Sequence, residues 1–116
     1  MFARRRAFDG MPPATSHHVF ASEFAVTDGG GGGNLIGAVA EAAFMTGMER
    51  NSEVVEAAAY APLFVNVNSK PWPTNLIVVD NRKHYVIPSY HVQSLFATYL
   101  GTHYASTSIE MAAQQV

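Results

Sequence analysis

The sequence predicts an α/β fold organised on a parallel sheet, and an incomplete one. Three observations carry that expectation. Segments of strand and helix character alternate along the chain, in the order strand, helix, helix, strand, loop with a short strand, helix. Repeated alternation of this kind marks parallel-sheet architecture. The first strand segment sets a carboxylate among small residues on one face and phenylalanines on the other. Hydrophobic residues make up 48% of the 116 and charged residues only 14%, whereas a free-standing domain normally carries about 25% charge. Two or three strands do not close a sheet, so the apolar excess is expected to be covered by a partner or by further chain.

Taken in order, residues 1–16 are irregular and end in the turn-forming Met11-Pro12-Pro13. Residues 18–26 read as a strand. Alternation places Val19, Ala21, Glu23 and Ala25 on one face and Phe20, Ser22, Phe24 and Val26 on the other. A strand lining a crowded barrel interior, its bulky side packed on outer helices, has this pattern. Thr27-Asp28 and the glycines at 29–33 form a flexible loop, and Asn34 stands where a helix N-cap is needed. Residues 35–49 are helical and apolar on nearly every side, as in a helix buried within a larger body. Asn51-Ser52 breaks that helix. Ser52 then caps a second, short helix through about Tyr60, which Pro62 ends. Residues 63–67 form the next strand, with Asn66 and Asn68 at its C-terminal end. Pro71-Trp72-Pro73 marks a loop and 76–80 a short apolar strand. Pro88 opens the last clear helix as an N1 proline, running through about Tyr99, and a short helix is possible after Ser108.

Charge and motifs exclude several classes. The net charge is −2 and the only basic cluster is Arg4, Arg5 and Arg6, so neither nucleic acid nor an anionic membrane is an expected partner. No stretch approaches the ~18 apolar residues of a membrane span. Asp9, Gly10, Pro12 and Pro13 interrupt any apolar run after Arg6, so no secretory signal is read. There are no cysteines, which removes disulfides and thiolate metal sites. The glycine run follows a strand and precedes a helix, yet a phosphate-binding fingerprint would need glycine where Asn34 or Leu35 stands. His17, His18, His84, His91 and His103 form no HExxH pattern, and no GxSxG elbow surrounds Ser22 or Ser89. No metal or cofactor is expected.

Glu23 stands apart as an acid inside an otherwise apolar strand, where a charge is costly unless paired or functional. On the residues alone, a paired or strand-end glutamate and a catalytic one both remain open. Asn66 and Asn68 are equally suited to hydrogen-bonding a sugar hydroxyl and to capping a turn.

Longer runs sharpen the choice. HVFASEFAV at 18–26, NLIGAVAEAAF at 34–44, GMERN at 47–51 and AYAPLFVNVN at 59–68 occur in this order, followed by PSY at 88–90 and VQ at 92–93. This series resembles the plant branch of glycoside hydrolase family 51, the α-L-arabinofuranosidases, from about residue 17 to residue 100. The resemblance implies a partial (β/α)8 TIM barrel, its last two strand–helix units, with residues 17–100 as a fragment of the catalytic barrel and 101–116 as a divergent tail. Residues 18–26 would be the seventh barrel strand and 63–67 the eighth. It implies Glu23 as the nucleophile of a retaining mechanism releasing α-L-arabinofuranosyl residues from arabinose-containing polysaccharides or oligosaccharides, and an extracellular or cell-wall location; Asn66 and Asn68, from their place at a strand end, are the candidate substrate-binding residues. The family's acid/base glutamate follows an asparagine, and no Asn-Glu pair occurs in this chain. His91 stands where the family usually has tryptophan. The chain is therefore expected to be inactive on natural substrate by itself. The competing expectation is a non-catalytic remnant that acts through partner binding.

Overall fold

The structure is a computed structural model describing residues 1–13, 17–27 and 32–108. β1 (Val19–Phe24) and β2 (Val55–Tyr60) pair in parallel as a two-stranded sheet. Parallel neighbours need a crossover, and α1 (Leu35–Arg50) lies between them in sequence. Asn34 starts α1 as expected: its backbone is extended and its side-chain oxygen accepts the Gly37 amide at 3.0 Å. The helix stops at Asn51, whose side chain donates to the Gly47 carbonyl at 2.8 Å. The Asn51 carbonyl then accepts the amides of Val54 and Val55, at 2.9 and 2.8 Å, turning the chain straight into β2.

A second sheet has the order β3 (Phe64–Asn66), β4 (Ile77–Val79), β5 (His84–Val86). β3 and β4 are parallel, β4 and β5 antiparallel. α2 (Pro88–Thr98) comes next with Pro88 in its first turn and packs on α1, where the Gln93 amide meets Met45 Sδ at 3.1 Å.

The core lies between α1 and the two-stranded sheet. Phe24, Phe44, Met48, Val55, Tyr60 and Leu76 are buried together. The Phe24 ring sits 5.7 Å from both Phe44 and Tyr60, a spacing at which each aromatic pair adds roughly 0.5–1.5 kcal/mol beyond its area. The N-terminal residues, expected to be irregular, form a 3-10 turn at Phe2–Arg4 and continue over α1, with Phe8 stacked 5.8 Å from Phe44.

These pairings overturn the partial (β/α)8 barrel. In that arrangement 18–26 and 63–67 would be neighbouring strands of one sheet. Instead β1 pairs with β2, while β3 belongs to a different sheet that contains an antiparallel strand. The described residues form a small domain of two separate sheets and two α-helices. The segment before Tyr60 is a strand rather than the expected short helix. Its three alanines favour helix by propensity, but pairing with β1 and burial of Val55 and Tyr60 outweigh that preference. β5 replaces an expected loop. α1 is less enclosed than its composition suggests, since Leu35, Ile36 and Val39 are exposed, Ile36 at 77%. The possible helix after Ser108 and the glycines 29–31 lie outside the described residues.

Candidate functional site

The pairing of β1 with β2 is irregular where Glu23 stands. Ala21 is opposite Ala58 and Phe24 opposite Tyr60, so three steps along β1 match two along β2. An extra residue of this kind is a bulge, which re-aims side chains and is common beside active sites. Its effect is visible in the packing. Ala21 and Phe24 would face opposite ways in a regular strand, yet both contact the core. Phe20, expected on the same face as Phe24, is 60% exposed.

The bulge leaves Glu23 facing outward. Its side chain is exposed and borders a cavity of about 300 Å3 with Arg4, Thr27, Phe24, Phe44 and Ala61 among the lining residues. Among the described residues, neither ion pair involves its carboxylate. That is an open carboxylate at the C-terminal end of a strand, with apolar walls on one side and an arginine on the rim.

Asn66 and Asn68 sit elsewhere. Asn66 Oδ1 accepts the Asn68 amide at 2.9 Å and the Asn66 carbonyl accepts the Ser69 amide at 3.0 Å, a turn held by its own asparagine. Neither residue lines the Glu23 cavity. Trp72 is exposed, and its carbonyl accepts the Asn75 side-chain amide at 2.7 Å. No group of three His, Asp or Glu residues suited to a metal ion occurs among the described residues. No helix there is long and apolar enough to cross a membrane.

Sequence reasoning missed the more unusual acid. Glu41, on α1, is fully buried at 0% exposure. Its Oε1 accepts the Val26 amide at 2.8 Å and the Tyr60 hydroxyl at 3.4 Å, while Oε2 has no partner among the described residues. Burial, then the Glu41 negative charge, pushes the Tyr60 phenol up to about 12, against a hydrogen bond with Ser89 that lowers it. The signal was present: Glu41 is the one charge within NLIGAVAEAAF, an otherwise apolar half of the helix.

The family model described as "Alpha-L-arabinofuranosidase C-terminal domain" matches residues 22–116. α-L-Arabinofuranosidase 1 of Arabidopsis thaliana is 51% identical over 79 residues, covering 67% of this chain and 12% of that protein. α-L-Arabinofuranosidase 2 of the same plant is 42% identical over 97 residues, covering 83% of this chain and 14% of its own length. An extracellular exo-α-L-arabinofuranosidase of Streptomyces chartreusis is 44% identical over 63 residues, 54% of this chain and 8% of that protein. Among solved structures, the arabinose-bound MgGH51 α-L-arabinofuranosidase superposes with a TM-score of 0.75 at 32% identity, over 84% of this chain and 17% of its own. The chain thus spans only a small part of each relative's length. The family match is to a C-terminal domain, in agreement with the two-sheet architecture and against a barrel fragment. By a family match that extends over most of its length, the chain belongs to the α-L-arabinofuranosidase C-terminal domain family.

Proposed function

We propose that this chain carries the nucleophile of a retaining, plant-type α-L-arabinofuranosidase, with Glu23 as the attacking carboxylate and arabinose-containing cell-wall polysaccharides or oligosaccharides as the substrate class. The observation that carries the reading is the bulge at Ser22–Glu23, which turns an unpaired carboxylate out of β1 toward a cavity. The Glu23 carboxylate attacks the anomeric carbon, the bond to the leaving oxygen breaks with its electron pair on that oxygen, and a glycosyl ester forms. Water then cleaves the ester and restores the carboxylate. Retention by this route needs a second carboxyl group ~5–5.5 Å away to protonate the leaving oxygen. The chain has no Asn-Glu pair to match the family's acid/base residue. Asn66, through the side-chain nitrogen that its turn leaves over, and Asn68 lie outside the Glu23 cavity and in this reading meet hydroxyls of the sugar chain beyond the residue under attack. The site of action in this reading is outside the cell.

The test is hydrolysis of an aryl α-L-arabinofuranoside with a strongly acidic phenol, which leaves without protonation. A burst of phenolate in the wild type that disappears in Glu23→Ala supports the assignment. Turnover of an unactivated arabinofuranoside at the rate of ordinary glycosidases would contradict it, because losing the general acid removes ~10²–10⁴ of rate. A second reading, partner binding without chemistry, is favoured by the exposed apolar side chains of Ile36, Leu35 and Phe64. No phenolate release by either protein, together with binding to a partner, is its signature.

A further inference from the structure

We propose that Glu41 is a positioning residue that fixes the end of β1 and so aims Glu23; the catalytic part of this role rests on the function proposed above. Three elements meet at one carboxylate oxygen. Glu41 reaches from α1, the Val26 amide from the chain just past β1, and the Tyr60 hydroxyl from the last residue of β2. Val26 is three residues beyond Glu23, and Tyr60 stands opposite Phe24, where the bulge ends. The two contacts therefore grip the bulged segment on the side where its pairing resumes.

The grip has a reason to exist. β1 leaves its ladder after Phe24, which keeps one more bond, from the Ala61 amide to its carbonyl at 3.4 Å. Beyond it the Val26 amide is a half-buried donor that would otherwise lack a partner from the sheet. A neutral apolar side chain at position 41 would fill the space but leave that donor unpaired. Glu41 is fully buried with one oxygen unsatisfied among the described residues, so it is a costly choice if packing were its only task. Ser89 is buried at the start of α2, and its influence on the Tyr60 phenol opposes that of Glu41.

The experiment compares the full chain with Glu41→Gln and Glu41→Leu by amide hydrogen exchange and backbone resonances. Glu41→Gln keeps an acceptor oxygen, so protection of the Val26 amide and the resonances of Ser22 and Glu23 are expected to remain as in the wild type. Glu41→Leu is expected to lower Val26 protection by about tenfold, the equivalent of one hydrogen bond, and to shift Ser22 and Glu23 while β3 is unchanged. Unchanged Val26 protection and unchanged Ser22 and Glu23 resonances in Glu41→Leu overturn the proposal. If the leucine variant does not fold, Glu41→Gln decides through Tyr60: its phenol, read by absorbance against Tyr60→Phe, ionises at lower pH once the charge is removed. A Tyr60 titration identical to wild type removes Glu41 from the strand end. The activated arabinofuranoside separates the two assignments. A slower Glu23-dependent burst in Glu41→Leu that Gln restores supports positioning. Absence of a burst even in the wild type counts against the catalytic role of Glu23 and of Glu41's aim, while the exchange data still decide the clamp.

Discussion

Replacing Gly47 by alanine sets two opposing effects against each other, and the structure decides the sign. Gly47 is in the interior of α1, where alanine is favoured over glycine by ~1 kcal/mol. A Cβ at this position, however, collides with the backbone carbonyl of Arg5. Backbone cannot rotate away as a side chain can, so the N-terminal segment has to lift off the helix. Lifting removes the bond from Arg50 to the Arg5 carbonyl, 3.0 Å, for ~0.5–1.5 kcal/mol. It also loosens Phe8 from Phe44, for a further ~0.5–1.5 kcal/mol plus the area uncovered. The contacts of Arg50 and Asn51 to Asp9 go with it. The expected net effect is destabilisation by ~1–2 kcal/mol, a fall in Tm of at least about 4 °C for a chain of this size. Thermal and urea unfolding of Gly47→Ala measure it directly. A Phe8→Ala background, with part of the segment's anchorage already removed, should shrink the penalty by ~1 kcal/mol in a double-mutant cycle. A rise in Tm for Gly47→Ala in the intact chain would mean that Arg5 does not lie on α1, and the argument would fail.

Other consequences are simpler to measure. Because Tyr60 is pushed up to about 12 from an ordinary value of 10.0, its contribution to stability is complete below pH 10 and is lost as pH rises toward 12; urea midpoints should show a loss of at most ~2 kcal/mol after allowance for solvent screening, absent in Tyr60→Phe. Asp9 is held below its ordinary value of 3.8 by the Asn51 hydrogen bond first and Arg50 second, so its contribution is present above pH 3.8 and fades as pH falls through the lowered value; Asp9→Asn should flatten that acid limb. Asn34→Ala removes the side-chain acceptor of the Gly37 amide and should cost ~1 kcal/mol in unfolding free energy. Phe44→Ala empties the centre of the aromatic cluster and should cost ~3–5 kcal/mol, enough to lose cooperative unfolding in a domain this small.

Local signals were legible where chain chemistry alone decides the structure. The Asn34 cap, the proline opening α2 and the Val- and Phe-rich segment of β1 all act over a few residues, and each element starts within a residue of where its sequence points. The misreadings concern residues whose structure is set by distant partners. Ala57, Ala58 and Ala59 are good helix formers that become strand only because β1 lies beside them. His84–Val86 is too short to show alternation and becomes a strand by pairing with β4. Sheet membership, which separates a barrel segment from this two-sheet domain, depends on such pairings throughout. The strands expected as neighbours, 18–26 and 63–67, fall in different sheets, and β1 is paired instead by a segment read as a helix, because alternation does not say which strands share a sheet.

The two glutamates show why the site was only half legible. An acid in an apolar segment signals either a buried group with partners or an exposed one with a task, and composition does not separate them. Glu23 drew attention as though it faced inward among small residues, but one extra residue in β1 turns it to solvent. A bulge leaves no mark in the alternation pattern, since it comes from pairing with β2. Glu41 shows the reverse. The sequence reading passed over it within an apolar helix, yet it is the acid that the core encloses. Its Oε1 joins the strand end to Tyr60. On the function proposed for Glu23, the exposed carboxylate has the freedom that attack requires, and the buried one has the fixed geometry that the proposed aiming requires. Exchanging their environments would defeat both proposed roles: a buried Glu23 could not meet a sugar, and an exposed Glu41 would leave the Val26 donor without its protein acceptor.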